Sequence, residues 1–189
     1  LKKKYTPPLK FRWRERRAIM EKEWQEEFFE KQNELITAIV QQVSDAIPGR
    51  WENFYLNAEI SDNLSGGVYF FFNIEKNKNY IYCEDIPGIY NVHEEEYEER
   101  RNGIYKLSQK LKEVFIKHNL NLWQAITIIV DSERKLKMYY DYADWINSSF
   151  GPTSRIQYFK YKYLGKTPED KKQEELFKEM EEYQSKFNK

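Results

Sequence analysis

Only one cysteine, Cys83, occurs in the 189 residues, so an intrachain disulfide is excluded and a reducing, cytoplasmic setting is expected. The two histidines, His93 and His118, stand in no HExxH or CxxC-type spacing, which removes the usual zinc centres. Gly66-Gly67 lacks the further glycine and the lysine of a phosphate loop, and a hairpin turn explains the pair better. No GxSxG elbow occurs, and Cys83 falls in a strand-like stretch where a buried, inert thiol is expected. No apolar run approaches the roughly 18 residues of a transmembrane helix, and the charged N-terminus has no apolar stretch behind it to act as a signal peptide. Asp141 and Asp144 alone could do acid and base work without histidine, and no partner group accompanies them. The expectation is therefore a non-enzyme without metal or cofactor.

What is abundant is aromatic side chain: 5 Trp, 15 Tyr and 12 Phe, a content that points to a sheet-rich core. Charge is plentiful but cancels, with 31 basic against 31 acidic residues. The cancellation hides an asymmetry. Residues 1–19 carry eight basic side chains and the single acid Glu15, leaving 23 basic and 30 acidic residues from Met20 onward. A basic arm with Phe11 and Trp13 interleaved would suit nucleic acid or an anionic membrane. The genetic code offers a plainer reading. Arg16-Arg17-Ala18-Ile19-Met20 can be encoded as AGG-AGG, six nucleotides and ATG, the layout of a bacterial ribosome-binding site before a start codon. On that hypothesis translation starts at Met20, residues 1–19 are an untranslated leader, and 20–189 form one acidic domain; an intact mass that includes the leader would refute it.

The spacing of apolar residues from Trp24 to Ile47 predicts an amphipathic helix over Glu21–Ile47, stopped by Pro48-Gly49. Phe54–Ser61 and Val68–Glu75 read as a hairpin with a mobile glycine tip, and Tyr80–Glu84 as a third strand after the Asn77-Lys78-Asn79 turn, closed by Asp85-Ile86-Pro87-Gly88. A second helix is expected over Glu94–His118, with a break possible at Gly103. Trp123–Val130 and Lys135–Tyr142 form a second hairpin, and Thr167-Pro168-Glu169-Asp170 opens a last helix with Thr167 as N-cap. The order predicts an α+β fold, a mainly antiparallel sheet of about five strands packed with N-terminal, middle and C-terminal helices.

Two features suit binding. Glu94, Glu95, Glu96, Glu98 and Glu99 crowd one helix start, either as a solvated end that complements the dipole or as a negative patch that steers a basic partner. Tyr158-Phe159-Lys160-Tyr161-Lys162-Tyr163, with Arg155 and Lys166 beside it, alternates rings and cations as a nucleic-acid platform does, although an amphipathic strand or a core flank has the same letters. A nucleic-acid-binding module built on residues 155–166 and the basic leader is thus the alternative function.

The segment Tyr139-Tyr140-Asp141-Tyr142-Ala143-Asp144-Trp145-Ile146-Asn147-Ser148-Ser149-Phe150-Gly151, followed by Arg155, Tyr158–Gly165 and Thr167-Pro168-Glu169, resembles the YezG/EsaG-like family of bacterial antitoxins. Ile47-Pro48-Gly49-Arg50-Trp51-Glu52, Tyr55, Glu59 and Asp85-Ile86-Pro87 resemble it in order and distance, so the likeness covers about residues 21–175. It implies an immunity protein that binds the C-terminal nuclease domain of a secreted LXG-type or type VII-secreted polymorphic toxin, with no direct contact to nucleic acid or membrane. A nuclease cleft is basic because it holds phosphates, so surplus acid would speed association and aromatic anchors would supply about 2 kcal/mol or more each. The expected contact cluster is Asp141, Asp144, Trp145 and Asn147, with Glu94, Glu95, Glu96 and Glu98 as a steering patch; core packing is the competing use of Trp145 and Tyr142.

Overall fold

A computed structural model describes residues 9–75 and 79–188, with side chains from Met20 onward. Helix α1 spans Leu9–Ala46, and Gly49, at φ 93°, takes the left-handed turn that ends its direction. Strands β1 (Asn53–Ile60) and β2 (Gly66–Asn73) form a hairpin, and β3 is only Ile81–Tyr82. A short 3-10 turn, Cys83–Asp85, leads into α2 (Ile86–Tyr90), and α3 runs over Glu94–Lys117. Then come β4 (Ala125–Val130), β5 (Leu136–Asp141), α4 (Pro152–Leu164) and α5 (Lys171–Ser185). The sheet has the order β3-β2-β1-β4-β5 with every neighbouring pair antiparallel. This is the expected α+β class.

Side chains alternate across a strand, so β1 has two different faces. Phe54, Leu56, Ala58 and Ile60 join Ile126, Ile128 and Val130 of β4 under α1 and α3, which contribute Ile39, Val43, Ile104 and Leu111. Tyr55, Asn57 and Glu59 point to the opposite face, where α4 and α5 lie with Tyr158, Phe159, Phe177 and Met180 buried. The result is helices on both sides of one sheet, with β1 and β4 enclosed on both.

Several expectations are corrected. Helix α1 begins at Leu9 rather than at Glu21, and residues 1–8 of the basic leader lie outside the described residues, as does most of the Asn77-Lys78-Asn79 turn. The third strand shrinks because Cys83 leaves it for the 3-10 turn, and Asp85-Ile86-Pro87-Gly88, expected as a plain turn, opens α2: proline is tolerated in a first turn, where its missing N–H costs nothing. Helix α3 does not break at Gly103. A Cβ there would sit 3.0 Å from the Gln42 side chain, so glycine instead permits close approach of α1. Tyr158–Tyr163 is helical, and α5 is capped by Asp170, whose carboxylate accepts from the Gln173 N–H at 2.8 Å, rather than by Thr167.

The glycine tip of the first hairpin is pinned rather than loose. Leu64 O accepts from Tyr105 Oη at 2.8 Å and Gln109 Nε2 at 2.7 Å, both on α3. Lys112 Nζ, wholly buried, donates to Ile60 O at 2.6 Å and pairs with Asp62 at 3.0 Å. Burial pushes the Lys112 pKa down, and the Asp62 carboxylate opposes that shift.

Candidate functional site

The chain leaves β5 at Asp141 and makes a compact turn before α4. Asp141 directs both carboxylate oxygens inward, accepting from Ala143 N at 3.0 Å, Trp145 Nε1 at 2.6 Å, Gln184 Nε2 at 2.5 Å and Asn188 Nδ2 at 2.9 Å. Tyr183 Oη donates to Asp144 O at 2.9 Å, so the end of α5 is tied to this turn. Trp145 is 6% exposed and its ring meets those of Phe150, Tyr158 and Tyr183. Ser148 Oγ donates to Trp145 O, and Arg155 Nη1 donates to Phe150 O at 2.7 Å. Asp141 and Trp145 thus clamp α5 and α4 to the sheet edge, and neither offers its polar atoms to an outside partner.

Asp144 and Asn147 face outward more. The Asp144 carboxylate accepts from Asn147 N at 3.3 Å and from its Nδ2 at 2.9 Å, holding the turn, and Asn147 is exposed. Of the four expected contact residues Asn147 is exposed, Asp144 is half-buried like Asp141, and Trp145 is buried.

Under the turn, Arg155 of α4 crosses to Glu59 of β1. Its Nε lies 3.1 Å from both carboxylate oxygens and its Nη2 2.9 Å from one, with side chains 14% and 12% exposed. A guanidinium fork on a carboxylate is the geometry that makes such burial tolerable. The crevice between Glu59, Thr127, Asp141, Arg155 and Lys162 holds about 40 Å³, little more than one water's share of about 30 Å³ and far below the roughly 300 Å³ of a small-molecule site. Burial lowers the Lys162 pKa, while Asp141 and Glu181 counter it.

The acidic patch is on α3. Glu96 pairs with Arg100 at 2.6 Å, and Glu98 and Glu84 both hold Arg101, at 2.8 Å and 2.6 Å. Among the described residues Glu94, Glu95 and Glu99 have no ion pair, and all three are exposed at the positive end of the helix dipole. The two expected clusters do not merge. Asp144 is close enough to Lys112 to bias its protonation, whereas Glu94 lies about 27 Å up the α3 axis from Lys112 at about 1.5 Å per residue.

The aromatic and lysine run is helical, with Tyr158 and Phe159 buried, Arg155 taken by Glu59, and Lys162 bonded to Gln184 at 2.5 Å. Its rings do not form an open stacking platform. Cys83 is buried, its Sγ accepts from Phe70 N at 3.4 Å, and burial pushes its thiol up to about 12. Among the described residues no group of three or more His, Cys, Asp or Glu side chains could hold a metal, and no helix is long and apolar enough to cross a membrane. Sequence reasoning did not assign roles to Glu59, Lys112 or Gln184. Glu59 had one readable signal, its place in the polar alternation Tyr55, Asn57, Glu59 of an otherwise apolar strand.

Residues 32–178 match the family described as "Immunity protein YezG-like". The chain is 34% identical over 158 residues to the type VII secretion system protein EsaG of Staphylococcus aureus, covering 82% of this chain and 95% of the relative. It is 34% identical over 141 residues to the immunity protein YezG of Bacillus spizizenii, covering 75% and 87%. The Bacillus subtilis immunity protein YezG is 32% identical over 143 residues, covering 76% and 94%. The motif turn and the Glu59–Arg155 pair beneath it lie within the matched span, and the chain belongs to the YezG-like family of immunity proteins.

Proposed function

We propose that this chain acts in the cytoplasm as the antitoxin of a secreted polymorphic toxin, binding the toxin's C-terminal nuclease domain and blocking its access to nucleic acid. Immunity proteins act by binding, and the chain is not an enzyme. The observation that carries the nuclease reading is charge. The whole chain is neutral and is acidic, with 30 acidic against 23 basic residues, only if translation starts at Met20, but Glu94, Glu95 and Glu99 stand exposed and, among the described residues, without an ion pair on α3. A cleft that holds phosphates is basic, so this face would raise the rate of encounter and compete with the substrate. Asp144 and Asn147 supply a second accessible contact in this reading, while Asp141 and Trp145 hold the turn that presents them.

The experiment is co-expression of the full chain with the C-terminal domain of the toxin-like protein encoded beside it. Colony survival, a co-purifying complex and loss of DNA or RNA cleavage by the purified domain are the expected results. Continued toxicity without a complex would remove the reading.

A further inference from the structure

The sheet has two outer edges, and they differ. At one of them β3 pairs only with Phe71 and Phe72, so the first part of β2 runs past the end of its neighbour. The direction of the backbone groups follows from the hydrogen bonds around it. Phe70 N points away from β1 to Cys83 Sγ, while Ser61 N, on β1's end of the hairpin, accepts the turn by donating to Ser65 O, and Ile60 N turns the other way to Gln124 O. Antiparallel pairing alternates, so Gly66 and Val68, like Phe70, direct N–H and C=O outward. Cys83 covers Phe70; among the described residues nothing pairs with the outward groups of Gly66 and Val68.

Two clefts flank this stretch, one on each face of the sheet. On the α3 side, Glu98, Glu99, Asn102 and Tyr105 bound about 390 Å³ together with Gly67 and Val68. On the α4 side, Glu84, Ile146, Pro152 and Ile156 bound about 260 Å³ with the same two residues. An added strand would send alternate side chains into these two clefts. Gly67 leaves room for it, since even a Cβ there would meet nothing within 4 Å, while Gly66, at φ 144°, is required by the hairpin itself, where a Cβ would fall 1.9 Å from Glu59 O of β1.

Charge selects the occupant. The clefts hold Glu59, Glu84, Glu98 and Glu99 against two guanidiniums, Arg101 and Arg155, each already gripped by carboxylates. The opposite edge, β5, carries Lys137, with Lys135 just before its start, the lysine protection that sheet edges commonly carry. We propose that the outward edge of β2 at Gly66–Val68 docks an extended basic segment of the toxin, which adds to the sheet as a short strand with its alternate basic side chains directed at Glu98 and Glu99 on one face and Glu84 on the other. This rests on the antitoxin reading and assigns that reading a surface.

The test uses the full chain and the C-terminal domain of the adjacent toxin-like protein. Hydrogen exchange at the Val68 amide should slow about tenfold or more in the complex. Val68→Pro removes the outward N–H, a change edge strands accept, together with the half-buried valine side chain, so against Val68→Ala as its reference it should weaken binding about tenfold while the thermal melt stays cooperative. Glu99→Lys should slow association about threefold at low salt, with the difference closing at high salt. A complex in which residues 66–70 exchange as in the free chain, with Glu99→Lys binding unchanged, would overturn the edge and leave the antitoxin reading standing. If the wild-type chain neither binds nor protects, both fall. If Val68→Pro instead turns a dimer of the free chain into a monomer, the edge belongs to a second copy and the proposal is overturned.

Discussion

The two faces of the sheet are built from different chemistry. Under α1 and α3 the contacts are almost wholly apolar, from Phe54, Leu56, Ile126 and Ile128 on the sheet to Ile39, Val43 and Leu111 on the helices. Under α4 and α5 they are rings and ions: Glu59 with Arg155, Asp141 with its four donors, Phe71 stacked on Phe159. Apolar burial is non-directional and tolerates sliding, whereas a carboxylate with several fixed donors accepts one geometry. The first face therefore supplies most of the stability, and the second fixes where α4, α5 and the Asp141–Gly151 turn sit. The C-terminal part of the family resemblance, from Asp141 to Leu164, gathers on the second face, while Ile47, Trp51 and Ile86 of its upstream part lie in the first.

Truncation on the first face should cost most. Phe54→Ala, at a fully buried position, is expected to lose about 3–5 kcal/mol in urea unfolding. On the second face, Glu59→Ala strands the Arg155 guanidinium and should cost about 3 kcal/mol, yet Glu59→Leu with Arg155→Met should recover most of that, because a buried ion pair is worth little over a well-packed apolar one. A double variant as unstable as Glu59→Ala would show that the pair itself stabilises, and the contrast between the faces would blur. Asp141→Asn keeps the shape but removes the charge from four hydrogen bonds; about 2 kcal/mol and earlier proteolysis within α5 are expected, with the apolar core unaffected.

The first face was the more legible in sequence. Helix α3 begins at Glu94 as its apolar spacing implies, and both hairpins fall within two residues of their expected places, because period-2 and period-3.6 patterns are direct images of one buried face. Helix α4 was hidden because Phe159, Lys160, Tyr161, Lys162 and Tyr163 alternate ring and cation like a strand, while the helix buries the adjacent pair Tyr158 and Phe159 against that pattern. The second face was harder still. Glu59 and Arg155 are 96 positions apart, Asp141 and Gln184 43 apart, and no local spacing encodes a contact of that range. Trp145 looked equally suited to core and to contact, and its 6% exposure with the Asp141 bond assigns it to the packing of α5.

The ionic contact at the first hairpin's tip breaches the apolar face, and it gives the smallest expected effect. Asp62 accepts from Gln124 Nε2 at 2.7 Å and pairs with Lys112, and these two groups, Gln124 first, hold its carboxyl below the ordinary 3.8. The folded value lies below the unfolded one, so the contribution is present in full above about 3.8 and is lost as the pH falls through the folded value. Because Asp62 is 65% exposed, solvent screens much of this, and only a shallow fall in stability between pH 5 and 3 is expected from it. An NMR titration of the Asp62 carboxyl should find it below 3.8 in the wild type and nearer that value in Gln124→Ala, and Asp62→Asn should flatten the pH slope without moving Phe54 or Leu56 shifts. A titration at the ordinary value would mean that Asp62 adds nothing to the hold that Tyr105, Gln109 and Lys112 already have on the hairpin tip.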